Sequence, residues 1–466
     1  MSSAKTVIDA KGSRYELTKK IGQGGQGAVY AVKGGKLAVK VVPGRGPAHR
    51  ERMRNQLAHV RRLPLGDLSL AKPLEMLRPP HTGYVMELLT GMEPIKNLLK
   101  PPKGKAPSVA WYHEGGGLRR RLLLLARAAS ILARLHGKGL AYADPSPANI
   151  FVSADPAYHE VWFIDSDNLC YESSPNSKGG VYTPFYGAPE MVRGESGVTT
   201  LTDMHAFAVI AFQVLVLAHP FIGDYVNDGD PELEEQAMAG KVPWIDDVED
   251  ACNRASFGVD RDGVLSKRLK ELFQQTFGAG RKDPTARPGA AEWAKRLFAA
   301  ADATIFCPDC KGSYYFNEPT CPWCDASRPG FAMALFHLFD PGYGPNGGIL
   351  EKPHGKRKRA VIVDQFVLSE GVPRHITRRM AIGPEASMPD EPMMEVVLKG
   401  NQVFVSRVDG NTYRLSSPTG RKESEIGEIK KSIGLKAGEA SWRVHFGETK
   451  RLHRLMRFEI RSGGHQ

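Results

Sequence analysis

Three groups of residues in this 466-residue chain have the types and spacing for chemistry. The first is Gly22-Gln23-Gly24-Gly25-Gln26-Gly27, followed by Ala28-Val29. Glycines let a backbone come close to phosphate oxygens and aim its amides at them. The same letters mark a dinucleotide-binding turn, but that turn opens a helix, and here the β-like run 28–32 follows. The second is Lys40, thirteen residues past Gly27 in the apolar run Leu37–Val42. A lysine between valines is costly to bury without an anionic partner, which favours a phosphate-facing role over an edge-strand lysine in water. The third is the pair of knuckles Cys307-Pro308-Asp309-Cys310 and Cys321-Pro322-Trp323-Cys324, ten residues apart. That spacing places four thiolates tetrahedrally around one Zn²⁺, a closed structural site. A redox role would need a single such pair in a thioredoxin-like setting, which is absent; Cys170 and Cys252 read as ordinary buried residues.

These groups need elements to position them. Alternating apolar residues over 15–42 predict strands around the glycine turn. Residues 50–63 read as a helix with Met53, Leu57, Val60 and Leu63 on one face, and 84–89 as a short strand. Residues 100–107 form a loop, 118–136 a helix, 201–217 a buried apolar helix, and 292–301 a last helix. Residues 337–358, rich in Pro and Gly and leading into the basic run Lys356-Arg357-Lys358-Arg359, read as a linker. Beyond it come short β-like runs at 361–368, 395–398, 402–408, 412–415, 442–446 and 456–460, broken by turns such as Asp409-Gly410-Asn411 and Pro418-Thr419-Gly420.

Two further segments complete a pattern. Tyr142-Ala143-Asp144-Pro145-Ser146-Pro147-Ala148-Asn149 follows the 118–136 helix, and Trp162-Phe163-Ile164-Asp165-Ser166-Asp167 lies just beyond it. Each alone reads as an Asp/Asn turn. In this order, with the glycine loop and Lys40 before them, they resemble the protein kinase family, specifically its bacterial eukaryotic-like Ser/Thr members. Gly187-Ala188-Pro189-Glu190, Thr202-Asp203 and Asp283-Pro284-Thr285-Ala286-Arg287 resemble the family's activation-segment end, the bracing Asp of its buried helix, and the arginine that pairs with Glu190.

The resemblance implies a bilobal kinase fold over 8–300; the cysteine spacing adds a zinc ribbon over 303–328 and the β-like runs a small all-β module over 331–466, α+β overall. The resemblance also implies ATP held by Gly22, Gly24, Gly27, Val29 and Lys40, with Glu87 and Leu89 at the adenine hinge. Asp144 would accept the substrate hydroxyl proton, and Asn149 and Asp165 would hold Mg²⁺. The family's lysine partner is a glutamate on the next helix; Glu51 is the only carboxylate there, while the spacing points nearer Gln56.

The chain also departs from the family. Tyr142-Ala143 replaces His-Arg, Ser146 replaces a lysine, and Asp165-Ser166-Asp167 replaces Asp-Phe-Gly. Without the Arg, activity is expected not to depend on activation-loop phosphorylation, although Ser173, Ser174, Ser177 and Thr183 could accept phosphate. The Asp-Pro-Ser-Pro-Ala-Asn and Asp-Ser-Asp variants look similar to a group associated with tellurite-resistance and stress operons. Its implied partners are a PP2C-type phosphatase and a von Willebrand factor A protein, beside protein substrates. A pseudokinase that presents partner proteins is the competing reading.

Composition narrows the rest. The hydrophobic fraction of 41% supports packed cores. The net charge of +12 favours acidic partners, though nucleic-acid binding rests on charge alone. The longest apolar run, 206–218, contains Gln213 and is too short to span a bilayer. Cysteines suited to metal point to a cytoplasmic location. The C-terminal module has a faint likeness to forkhead-associated domains, with Arg374, His375, Arg378 and Arg379 as candidate phosphate-binding side chains.

Overall fold

The computed structural model describes residues 5–24, 27–43, 46–102, 104, 108–172, 180–343, 347–354, 357–383, 390–418, 422–427, 431–434, 442–448 and 450–464. Two compact units make up the chain. The first comprises 1–108, 123–260 and 267–294; the second comprises 109–122, 261–266 and 295–466.

The first unit opens with a six-stranded antiparallel sheet. Its strands are β1 (Thr6–Ile8), β2 (Arg14–Gly24), β3 (Gly27–Val32), β4 (Leu37–Val42), β5 (Glu75–Met76) and β6 (Thr82–Glu87), in the order β1-β2-β3-β4-β6-β5. Side chains alternate between faces along a strand. Val39 and Val85 therefore join Val7, Leu17, Val32 and Leu77 in a core on one face. Lys40 points to the other. The ladder sets Gly22 opposite Val29, Val29 opposite Lys40 and Lys40 opposite Tyr84, one row across four strands. Gly27 has a φ of 149°, and a Cβ there would lie 2.6 Å from the Val41 carbonyl oxygen, so only glycine lets the two strands approach this closely.

Helix α1 (Pro47–Arg62) starts on proline and carries His59, Arg61 and Arg62 in its last turn, a charge placement the helix dipole favours. It buries Leu57 and Val60. Helix α2 (Gly117–His136) leads to the hairpin of β7 (Ile150–Ser153) and β8 (Val161–Phe163). Helix α3 (Thr200–Val216) is apolar all round and buried on nearly every side. The Thr199 hydroxyl accepts from the Thr202 amide, and Thr202 returns the bond, fixing where α3 begins. Helix α4 (Ala290–Asp302) begins in the first unit and runs on into the second.

In the second unit, the antiparallel pair Thr304–Phe306 and Ser313–Tyr315 carries the first cysteine knuckle. Phe331–Asp340 is the central strand of a seven-stranded sheet, flanked by Ile362–Leu368 and His453–Arg461. A four-stranded sheet faces it, built from Arg374–Thr377, Pro392–Lys399, Gln402–Arg407 and Lys431–Gly434. Phe336, Phe366 and Phe458 of one sheet share a core with Ile376, Val396 and Val405 of the other.

The linker reading of 337–358 does not hold. Residues 337–340 finish the central strand, and 348–349, 351–354 and 357–360 are also strands. Phe331–Asp340 is apolar along both faces and buried for most of its length, so it lacks the alternation that marks a half-exposed strand. The turn residues Thr419 and Gly420, and Lys356 of the basic run, lie outside the described residues.

Candidate active site

The hairpin register brings two of the expected residues together. Phe163 pairs with Ile150, and the Ile164 amide donates to the Asn149 carbonyl at 2.9 Å. Asn149, just before β7, and Asp165, just after β8, are thus neighbours. The Asn149 amide donates to the Asp144 backbone oxygen at 3.1 Å, which leaves its own Oδ1 unused by that contact. Asp165 adopts the left-handed conformation, with φ at 60°, and its side chain is 30% exposed.

Asp203 at the start of α3 braces the loop before Asp144. Its carboxylate accepts from the Tyr142 amide at 2.6 Å and the Ala143 amide at 2.9 Å, with His136 Nε2 at 3.0 Å. These bonds hold Ala143 at a φ of 81°, a conformation a non-glycine residue keeps only when its surroundings fix it. The Tyr142 hydroxyl donates to the Ile164 carbonyl, tying this loop to the segment that carries Asp165. The Glu190–Arg287 pair expected from the resemblance is present, with both bonds at 2.7 Å and both side chains buried.

Asp144 is held by the activation segment. The amide and the hydroxyl of Thr183 both donate to its Oδ1, each at 2.8 Å. Burial raises the Asp144 carboxyl above its ordinary value, and the Thr183 bonds oppose that rise. Thr183, counted in the sequence as a phosphate acceptor, is thus engaged with Asp144. Ser173, Ser174 and Ser177 lie outside the described residues. Close by, a cavity of about 330 Å³ is lined by Phe185, Tyr186, Gln213, His219 and Phe257.

Lys40 is 3% exposed and pairs with two carboxylates, Asp165 and Asp167, the latter at 2.5 Å. Burial lowers the lysine's proton affinity, but Asp167 and Asp165 more than offset it, so its pKa lies above the usual value. The expected partner, Glu51, is not there. It sits exposed early in α1, while Gln56, further along the helix, faces inward. Gln56 Nε2 donates to the Asp167 and Leu169 carbonyls at 3.1 and 3.2 Å. Val29 lies across from Lys40, and Glu87 ends β6 with Leu89 two residues beyond. Gly25 and Gln26 of the glycine loop lie outside the described residues. Sequence reasoning missed Asp167 and Tyr84. The sequence marks Asp167 only as a departure from Asp-Phe-Gly and gives Tyr84 no signal; the strand register that sets Tyr84 opposite Lys40 reveals both.

In the second unit the four cysteine sulfurs lie within 4.8 Å of one another, with Cys307–Cys324 at 3.6 Å and Cys310–Cys321 at 3.7 Å. Thiolates about 2.3 Å from a central Zn²⁺ sit roughly 3.8 Å apart, so the set fits that ion. Two of the four suggested phosphate-binding residues are otherwise engaged: Arg374 and Arg379 pair with Asp302 at 2.9 and 2.8 Å. A buried arginine already neutralised by carboxylates is not available to a phosphate.

Comparison with known proteins gives a consistent result. The family model for the protein kinase domain matches residues 15–299. The chain is 26% identical over 226 residues to the serine/threonine-protein kinase Pkn1 of Myxococcus xanthus, covering 46% of this chain and 30% of that one. It is 29% identical over 221 residues to the DNA damage-responsive serine/threonine-protein kinase RqkA of Deinococcus radiodurans, covering 45% and 31%. A third relative is the serine/threonine-protein kinase pkn2 of Myxococcus xanthus, 25% identical over 334 residues, covering 66% and 35%. The chain spans about a third of the length of these curated relatives.

Proposed function

The chain belongs to the protein kinase family, and we propose that it is an ATP- and Mg²⁺-dependent serine/threonine protein kinase. The observation that carries this reading is the convergence of Lys40, Asp144, Asn149 and Asp165 at one site, with Asp165 partly open to solvent. The glycine turn with Val29 would line the nucleotide, and the backbone from Glu87 to Leu89 would receive the adenine. Lys40 presents its ammonium to the phosphates. Asn149 Oδ1 and the Asp165 carboxylate are the oxygens to hold Mg²⁺, which when bound neutralises charge on the phosphate oxygens. Asp144 orients the acceptor hydroxyl and takes its proton, with Thr183 fixing the carboxylate. The aromatic-lined cavity beside the activation segment suits a protein substrate.

A scaffold without turnover is the second reading, favoured by one observation: Ser146, where the family has a lysine, is neutral and buried. Incubating the protein with radiolabelled ATP, Mg²⁺ and a Ser/Thr protein substrate separates the two. The kinase reading predicts labelled protein and at least a hundredfold loss in Asp144→Asn. ATP binding without any transfer would support the scaffold.

The cysteine set is proposed to hold one structural Zn²⁺, closing a ribbon over 303–328. Elemental analysis should find one equivalent per chain, lost in Cys310→Ser; zinc that survives that change would refute the ligand set. No described helix is long and apolar enough to cross a membrane. A cytoplasmic location is proposed from the metal-suited cysteines, and a stress-signalling role, with a PP2C-type phosphatase and a von Willebrand factor A protein as partners, from the variant motifs. Pull-down with those proteins tests it.

A further inference from the structure

We infer that Asp167 is the positioning residue for Lys40, so that the phosphate-facing lysine is held by the segment carrying the metal-binding carboxylate and not by helix α1. The inference rests on the kinase reading and adds to it how the lysine is held. Lys40 and Asp167 are 3% and 1% exposed, and Nζ lies 2.5 Å from Oδ2. The second Asp167 oxygen accepts from the Tyr84 hydroxyl at 2.5 Å. Tyr84 is the residue opposite Lys40 in the β4–β6 ladder, so the strand that carries the lysine's neighbour also fixes the lysine's partner. Both Asp167 oxygens are therefore engaged, and its side chain has little freedom to leave.

Helix α1 offers no inward-facing carboxylate to Lys40. Its only acid, Glu51, is exposed, and the inward-facing Gln56 is neutral. Gln56 reaches backbone carbonyls of the Asp167 segment, which is a link to the segment and not to Lys40. Lys40 also touches Asp165, but that side chain is 30% exposed and is the one suited to a cation. When Asp165 turns to a metal, Asp167 remains as the counter-charge that keeps Lys40 in place. Two departures from the family pattern, the missing helix glutamate and the aspartate in place of glycine, then explain each other: the carboxylate has moved from the helix to the loop. Displacing α1 would leave the ion pair intact.

The test is a double-mutant cycle in the full chain, read with a fluorescent ATP analogue and with phosphate transfer. Asp167→Asn should weaken analogue binding and lower kcat/KM for ATP at least tenfold, while Glu51→Gln stays within twofold. In a Lys40→Met background, Asp167→Asn should add no more than twofold. An additive loss there, or a tenfold loss in Glu51→Gln with Asp167→Asn unchanged, overturns the inference. Should Asp167→Asn not fold, Tyr84→Phe removes one of its anchors and should raise KM for ATP about threefold; no change would count against the inference. A wild type that shows no transfer refutes the kinase reading by itself. The same cycle followed by thermal unfolding without nucleotide then still decides: non-additive Lys40→Met and Asp167→Asn effects support the pairing, and additive effects overturn it.

Discussion

Two buried charge clusters, one in each unit, each set one ion between two of opposite sign, and they differ in how far they are closed. In the first unit Lys40 lies between Asp165 and Asp167. In the second, Asp302 lies between Arg374 and Arg379, and Arg379 also reaches Asp364 at 3.1 Å. The Asp302 cluster is closed, with Asp302 2%, Arg374 7% and Arg379 16% exposed. The Lys40 cluster is open at one corner, because Asp165 is 30% exposed while its companions are nearly inaccessible. Buried ions cost several kcal/mol each unless fully paired, so a closed cluster is a device for fixing a fold. An open one keeps a carboxylate that a ligand can recruit. The closed cluster suits a strut, and the exposed corner of the other is the feature on which the proposed nucleotide and metal site relies.

The largest expected effect tests the closed cluster. Asp302→Ala takes the paired carboxylate from buried Arg374, while Arg379 keeps Asp364, and should cost about 3–5 kcal/mol, seen as a lower thermal transition. Affinity for an ATP analogue should stay within twofold; a comparable loss in both readouts would erase the distinction. Next is Thr183→Ala, which removes the hydroxyl, one of the two Thr183 donors to Asp144, and should lower kcat roughly tenfold, as expected for a bond to a charged group. Replacing Ser173, Ser174 and Ser177 together by Ala should change the rate only a few-fold. A loss of two orders of magnitude in that triple variant would restore a phosphorylation switch.

The smallest effect is in pH. Asp144 must be ionised to take a proton, and burial raises its pKa above the ordinary value of about 3.9. Activity should therefore be lost as pH falls through a point above that value. Because the Thr183 bonds hold the pKa down, the acid limb of kcat/KM should move to higher pH in Thr183→Ala. A limb that moves down or stays would mean another group controls it.

Much of the first unit was legible because its signals are local. Lys40 between valines, Asp144 five residues before Asn149, and the apolar stretch 206–212 of α3 each announce themselves within a few positions. The Lys40–Asp167 pair spans 127 residues and obeys no local pattern, so the motif registered only as a departure. Glu51 was chosen because it is acidic, yet a helix residue is placed by its face, and Gln56 has the inward face. The cysteine knuckles were readable from spacing. In the second unit, Phe331–Asp340 was hidden by the Pro- and Gly-rich stretch it runs into. The role of Arg374 could not be inferred, because its partner Asp302 lies 72 residues away at the end of a helix.

If the open cluster serves ATP and a metal, transfer depends on the Asp165 carboxylate. Wild type and Asp165→Ala, both shown to be folded, are incubated with γ-labelled ATP and a protein substrate across a Mg²⁺ titration. The account predicts Mg²⁺-dependent labelling of Ser or Thr by wild type and background labelling by Asp165→Ala at every Mg²⁺ concentration. Equal incorporation by the two proteins would contradict it.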